Sequence, residues 1–374
     1  LKKGFAMSSH DIFNYLNLLH EHGGSDMYFS VGAAVQMKVE GATRIVGKTP
    51  LGPSSIQLMA YQLMTQKQIA VFERDLEMDL AVGVQGAGRF RANMFYQRGE
   101  VSMVVRHIKN VIPDFDALGL PPVLGRLAML SRGLILVVGA AGSGKSTTLA
   151  AMLDYRNSHA EGHILCIEDP IEFLHRHKKS IINQREVGLD THSFGTALHH
   201  ALREAPDVIM IGEIRDKDTM QHALHYAETG HLCVATLHAT STSHALERIA
   251  RFFPEEARKQ TFADISHNLA AIIGQRLIPG LKQKRAAAIE LMLATPYIKD
   301  LIMRDQLGDL KGAIARSQEQ GLQTFDQHIF SLFTQDAISF DDALKFADSR
   351  TDLTLRIKLE RGFSGDFSDT LDIT

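Results

Sequence analysis

Two periodicities divide the chain. In the first part, Ile12, Phe13, Leu16 and Leu19 recur at helical spacing within residues 9–21, with Ser9 placed as N-cap and Gly23 as a stop. Alternating apolar and polar positions at 26–30, 35–39, 79–84 and 89–96 predict strands, and a second helical pattern covers 55–74. Strands mixed with a few helices imply a small α+β domain over residues 1–111. Pro113, Gly119, Pro121 and Pro122 crowd residues 112–122. Prolines remove backbone donors and glycine loosens the chain, so this stretch reads as a short interdomain linker.

The pattern then changes. Nearly continuous apolar runs at 134–139, 163–168, 207–212 and 231–238 alternate with helical stretches at 145–157 and 216–229, which close near Gly162 and at Gly230. That order predicts βαβ units and a parallel sheet covered on both faces over residues 123–360, an α/β domain. From about Ala245 onward the pattern reads as mostly helical. Residues 362–374 hold Asp366, Asp369 and Asp372 and no basic residue, so the end of the chain, 361–374, is expected to be a disordered acidic tail.

Composition narrows the function classes. With 374 residues, 45% hydrophobic and 22% charged, the chain is an ordinary globular sequence of two or three domains. A net charge of -3 and the absence of tryptophan give no support to a nucleic-acid motor, which needs a basic groove with stacking aromatics. Cys166 and Cys233 are too few for a disulfide framework or a four-cysteine zinc site, which points to a reducing, cytoplasmic compartment. There is no uninterrupted apolar run of about 18 residues and no secretory signal at the start. The chain opens at Leu1, so either it is truncated or Met7 is the natural start.

The sharpest chemical signal is Gly139-Ala140-Ala141-Gly142-Ser143-Gly144-Lys145-Ser146, which fits G-x-x-x-x-G-K-[ST] between an apolar strand and a helix. Glycines let backbone N–H groups converge on phosphate oxygens, and the following helix turns its positive end toward the anion. Gly139, Gly142, Ser143, Gly144, Lys145, Ser146 and Thr147 are therefore candidates for binding nucleotide. Lys145 would reach the β/γ-phosphates, and the Ser146 hydroxyl would hold Mg²⁺. Residues 207–213 form an apolar run ending in Glu213, a carboxylate at the sheet edge where ligands sit, placed to serve Mg²⁺ or its water shell. Glu168, Asp169 and Glu172 cluster at another strand end; Glu172, beyond Pro170, is the candidate base for the attacking water. His238 ends a further strand at the same edge, where an imidazole can hydrogen-bond a phosphate or a glutamate. His222 and His225 have helical spacing but lack a third metal ligand. In the first domain, Arg89, Arg91 and Asn93 share one strand face, and Arg98 and Arg106 follow. Beside a nucleoside-triphosphate site, such guanidiniums are candidate arginine fingers, reaching a neighbouring subunit in a ring.

These residues resemble a known family. Residues 139–146, 167–173, 202–216 and 227–238 are similar to the Walker A, Asp, Walker B and His boxes of the secretion-superfamily ATPases. Residues 24–30 and 89–99 resemble the amino-terminal domain of the type IV pilus retraction ATPases, the PilT/PilU family. The resemblance implies a PAS-like α+β domain followed by a RecA-like P-loop motor domain, six subunits in a ring, and ATP hydrolysis that drives pilus retraction in twitching motility. It implies Lys145 and Ser146 on phosphate and Mg²⁺, Glu172 as catalytic glutamate, Glu213 in the Walker B role, His231 and His238 in the His box, and Arg89, Arg91 and Arg106 as fingers. Residues 245–258 and 321–327 resemble the accessory, PilU-type branch. Where the PilT type carries Ala-Ile-Arg-Asn-Leu-Ile, this chain has Tyr297-Ile298-Lys299-Asp300-Leu301-Ile302, and lysine lacks the planar fork of arginine. The implied partners are further copies of the chain, a PilT-type ATPase and an inner-membrane platform protein, through which alone it would meet the membrane. No nucleic acid is expected. Rival readings are a PilT-type principal motor, a nucleotide-binding scaffold with little hydrolysis, and a RecA-like nucleic-acid motor.

Overall fold

The computed structural model describes residues 11–47, 49–108 and 111–361. Their contacts divide the chain into two compact units: one runs to Ile112 and also takes Ile171–Arg176, and the other takes Pro113–Pro170 and the chain from His177 onward.

In the first unit, β1 (Asp26–Phe29), β2 (Gln36–Val39), β3 (Ala42–Ile45), β4 (Glu77–Val84), β5 (Gly88–Gln97) and β6 (Glu100–Ile108) form an antiparallel sheet. Among the described residues its order is β3-β2-β1-β6-β5-β4. Period two decides its faces. Phe90, Ala92 and Met94 of β5 are fully buried and pack with Met103 and Val105 of β6 and Met27 of β1. Helices Ile12–Glu21, Pro53–Gln62 and Gln66–Asp75 cover that apolar face with Leu16, Leu19, Ile56, Met59 and Phe72. The other face is polar: Arg91 stands opposite Arg106, which stands opposite Asp26. A two-residue turn at Arg98 and Gly99, both with positive φ, sets the β5/β6 register.

Two expectations for this unit change, and two of its strands, β3 and β6, went unpredicted. Asp11, whose carboxylate accepts from Phe13 N–H, caps the first helix; Ser9 lies outside the described residues. The helix expected over 55–74 is two helices, because Thr65 and Gln68 form a reciprocal capping box that starts the second one. Strand β3 is exposed throughout, and β6, central in the sheet, carries consecutive buried residues; neither shows clean alternation.

The second unit is built on β7 (Gly133–Val138), β8 (Gly162–Glu168), β9 (Ser180–Glu186), β10 (Val208–Ile211), β11 (Leu232–Leu237), β12 (Leu269–Pro279) and β13 (Arg285–Leu293). Their order is β13-β12-β7-β11-β10-β8-β9, parallel except for the antiparallel β12/β13 pair at one edge. Leu134–Val138 are fully buried because helices lie on both faces. Ile135 and Val137 pack with Leu149, Met152 and Leu153 of the helix Lys145–His159. Leu134, Leu136 and Val138 face Leu198, Met220, Leu246 and Phe262 on the opposite layer. Helices Phe325–Thr334, Phe340–Phe346 and Arg350–Arg361 build a further core against Ile278 and Ala288 of the β12/β13 hairpin.

That hairpin corrects the mostly helical expectation after Ala245. Its strands are Ala-rich and buried nearly end to end, so the two-residue period that marks a strand disappears. The stretch 112–122, expected as a linker, holds the short helix Phe115–Leu118 and the buried Leu120, and the Phe115 ring lies 5.3 Å from that of Tyr155 in the second unit's core. The acidic tail at 362–374 falls outside the described residues. No described helix is long and apolar enough to cross a membrane.

Candidate phosphate-binding site

Strand β7 ends at Val138, and after the six residues 139–144 the helix Lys145–His159 begins. The loop between them is shaped by glycine. Gly142 and Gly144 have φ of +74° and +87°, which favours glycine. A Cβ on Gly139 would collide with Ser143 Oγ and lie 2.5 Å from the Gln275 carbonyl oxygen. The first-turn N–H groups of the helix have no intrahelical acceptor, and they belong to Lys145, Ser146 and Thr147, the last two half-buried. Lys145 is buried, and its ammonium donates to the carbonyls of Gly139 and Ala140, both at 3.0 Å. Ser143 Oγ, also buried, has no hydrogen-bond partner in the structure. A buried ammonium held by neutral carbonyls and an orphaned hydroxyl inside a glycine loop are what a polyphosphate would satisfy. The residues fit a nucleotide.

Parallel strands align their C-terminal ends, so β11, β10 and β8 bring their last residues to the same edge. Gly212 N–H donates to Ile167 O at 2.8 Å, placing Glu213 just beyond β10. Glu213 Oε1 lies 3.0 Å from His238 Nε2, and Oε2 accepts from Arg215 Nε at 2.7 Å. Arg215 reaches on to Asp169 Oδ2 at 3.1 Å. His238 Nδ1 lies 3.5 Å from Lys145 Nζ. An ammonium only donates, so Nδ1 accepts and Nε2–H is left to donate to Glu213. A continuous chain Lys145–His238–Glu213–Arg215–Asp169 therefore joins the phosphate loop to the sheet edge. The carboxylate of Glu213 raises the pKa of Arg215 through their hydrogen bond, with Asp169 adding to the effect. Each Glu213 oxygen keeps a further lone pair, so with the Ser146 hydroxyl it offers the hard oxygen donors that Mg²⁺ takes. A cavity of about 440 Å³ opens beside Gly139, Ala140 and His238.

Other expected residues belong to other elements. The three-acid cluster is divided: Glu168 is buried and accepts from Gln184 Nε2 at 2.9 Å, and Asp169 joins Arg215. Glu172 is exposed in the segment Ile171–Arg176, grouped with the first unit. The arginines are in that unit too. Arg106 Nε pairs with Asp26 Oδ1 at 2.8 Å, and this hydrogen bond chiefly raises its pKa, with smaller help from Tyr28 and Glu172. Arg91 lies 3.5 Å from Asp79, and Arg89 stands two residues earlier on the same strand. His231 stands apart from His238. It precedes β11 and His238 follows it, so the six-residue strand puts His231 at the opposite sheet edge, beside Gly133, with Nδ1 3.1 Å from Thr229 Oγ1. That placement removes it from this chain's phosphate loop. Sequence reasoning missed Arg215; its one signal was its position two residues after Glu213.

Known proteins match this architecture. Residues 13–324 match the family model described as type II/IV secretion system protein. The type IV pilus ATPase PilU of Pseudomonas aeruginosa is 50% identical over 92% of this chain and 90% of that protein. The type IV pilus retraction ATPase PilT of the same organism is 41% identical over 89% of this chain and 97% of that protein. A crystal structure of the pilus retraction motor PilT with bound ADP superposes with a TM-score of 0.85 at 41% identity, covering 92% of this chain and 99% of that one.

Proposed function

This chain belongs to the type II/IV secretion system protein family, and from that premise we propose that it is an ATP-hydrolysing motor of type IV pilus retraction, of the accessory PilU kind. The observation that carries the reading is the chain from Lys145 through His238 to Glu213, which connects a phosphate loop to an acid at the edge of a parallel sheet. The higher identity to PilU, 50% against 41% to PilT, supports the accessory branch.

The residues divide the work. The loop amides and Lys145 bind the triphosphate and neutralise charge that builds on it during hydrolysis. Mg²⁺, held by Ser146 and by Glu213 through water, would supply further charge neutralisation on the phosphates. His238 passes the position of Lys145 to Glu213, so a shift of the ammonium toward phosphate is felt at the acid. Glu172 orients the attacking water, and Arg91 or Arg106 supplies the finger, with Arg89 beside them. Six copies form the ring. It works on the cytoplasmic side, with a PilT-type ATPase, against an inner-membrane platform protein.

Lys145→Ala tests the reading. The purified variant is expected to lose ATP turnover by at least about 100-fold while its melting temperature stays near that of the parent. In cells lacking the native copy it should fail to support twitching. Parental turnover by a folded Lys145→Ala ring refutes the site, and a parent without ATP turnover, alone or with a PilT-type partner, refutes the motor.

A further inference from the structure

Strand β12 runs beside the phosphate-loop strand, with Gly274 in register with Val138. The next residue, Gln275, sits under the loop itself. Its side chain is buried, and Oε1 accepts from Thr148 Oγ1 at 2.7 Å. Thr148 is buried in the first turn of the helix that leaves the loop. With its oxygen held there, the amide nitrogen lies against Gly144: a Cβ on that glycine would stand 2.8 Å from Nε2. The Gln275 main-chain carbonyl lies as close to Gly139, at the other end of the loop. One residue thus touches the first and last glycines of the motif and the helix behind it.

Its neighbours fix it in turn. By strand alternation Gly274 and Arg276 face the other way. Gly274 has no side chain where Phe325 and Glu290 approach, within 3.1 and 3.2 Å of a Cβ there. Arg276 donates to the Phe346 carbonyl at 2.8 Å and to Asp348 Oδ1 at 2.6 Å, and its guanidinium lies 3.8 Å over the Phe325 ring. Asp348 also holds Lys311 at 2.9 Å. This strand is anchored to the C-terminal helices on one face and presses Gln275 on the loop with the other.

We propose that Gln275, locked by Thr148, is a positioning residue for the phosphate loop: it sets the spacing between Gly139 and Gly144 and hence where the loop amides and Lys145 meet phosphate. The inference rests on the reading of the loop as the ATP site. A buried amide that only filled space would be replaceable by a side chain of similar volume. A positioning amide is not, since a displacement of about 1 Å in a catalytic constellation can cost about 100-fold in rate.

The test uses Gln275→Met, Thr148→Val and Thr148→Ser in the full chain. For Gln275→Met and Thr148→Val, kcat is expected to fall about 10- to 100-fold with KM for ATP within about threefold. Hydrogen exchange of the loop amides at 139–145 is expected to speed up, with the rest of the unit unchanged. Thr148→Ser keeps the hydroxyl and should stay near parental in both readouts. The double variant Gln275→Met, Thr148→Val should be no worse than either single one, because each breaks the same contact. Parental kcat with parental loop exchange in Gln275→Met overturns the proposal. So does exchange accelerated equally across the whole unit in both single variants, which assigns Gln275 to packing alone. If the parent itself shows no ATP turnover, the motor reading fails, and the exchange measurements still decide the role of Gln275.

Discussion

At the scale of single residues, the feature that organises the site is a carboxylate with two cationic or donating neighbours. Glu213 is held from one side by His238 and from the other by Arg215. Glu213→Gln keeps the shape and removes the charge. The amide can still accept from one neighbour, but it turns a donor toward the other, and both His238 Nε2–H and Arg215 are donors. One of the two contacts must therefore break, and the route from Lys145 is interrupted. The variant is expected to bind a fluorescent ATP analogue within about threefold of the parent and to lose turnover by at least about 100-fold. Equal loss of binding and turnover would place Glu213 in ground-state nucleotide binding instead. Lys145, Glu213 and His238 were legible because glycine spacing and strand-terminal acids are local in sequence. Gln275 was not. It touches the loop from a strand more than a hundred residues away, and nothing around it signals that the strand exists.

At the scale of elements, the sequence announces what is amphipathic or punctuated and conceals what is buried on both sides. Strands β7, β8, β10 and β11 were legible because apolar runs end at glycines and acids, whereas β9, at the edge of the sheet and polar along much of its length, went unannounced. The capping box at Thr65 hid inside what read as one long helical stripe, and the β12/β13 hairpin hid because burial at consecutive positions erases its period. That hairpin carries a titratable contact. Ile289 N–H of β13 donates to His328 Nδ1 at 2.8 Å, a bond that only the neutral ring can accept. Enclosure by the helix Phe325–Thr334 and the sheet lowers the His328 pKa from 6.5 to about 4. The folded state therefore binds fewer protons than the unfolded state between those values. This stability is fully present above pH 6.5 and is lost as pH falls toward 4, by up to about 3 kcal/mol. Thermal melts of the parent from pH 7 to 4.5 should show a steeper decline than those of His328→Gln, which has no proton to take up. Parallel declines would show that acid acts on this protein elsewhere.

At the scale of the whole molecule, the candidate catalytic groups are divided between the two units. The phosphate loop, Glu213 and His238 belong to the second unit, and Arg91 and Arg106 to the first. On the polar face of the first sheet these two guanidiniums stand directly opposite each other, a costly pairing that Asp79 and Asp26 offset. The Arg106 side chain nevertheless stays 71% exposed. An exposed guanidinium aligned with the half-buried one of Arg91 is suited to receive an anion, and in the proposed ring the anion is a neighbour's triphosphate. Mixed rings test this. Lys145→Ala subunits keep their arginines and lack a working loop; Arg91→Ala, Arg106→Ala subunits keep the loop and lack the arginines. Each pure ring should be inactive, with the finger alone worth roughly 10³–10⁵ in rate. At equal mixing, one contact in four joins an intact loop to an intact neighbouring arginine pair, so turnover should recover to about a quarter of the parental rate if sites act independently. Arginines that serve the loop of their own chain give no recovery at any mixing ratio, because no subunit then holds both parts. The ratio dependence separates the two arrangements: a contribution between subunits peaks at equal mixing and vanishes at either extreme, which follows from counting the contacts in a closed ring.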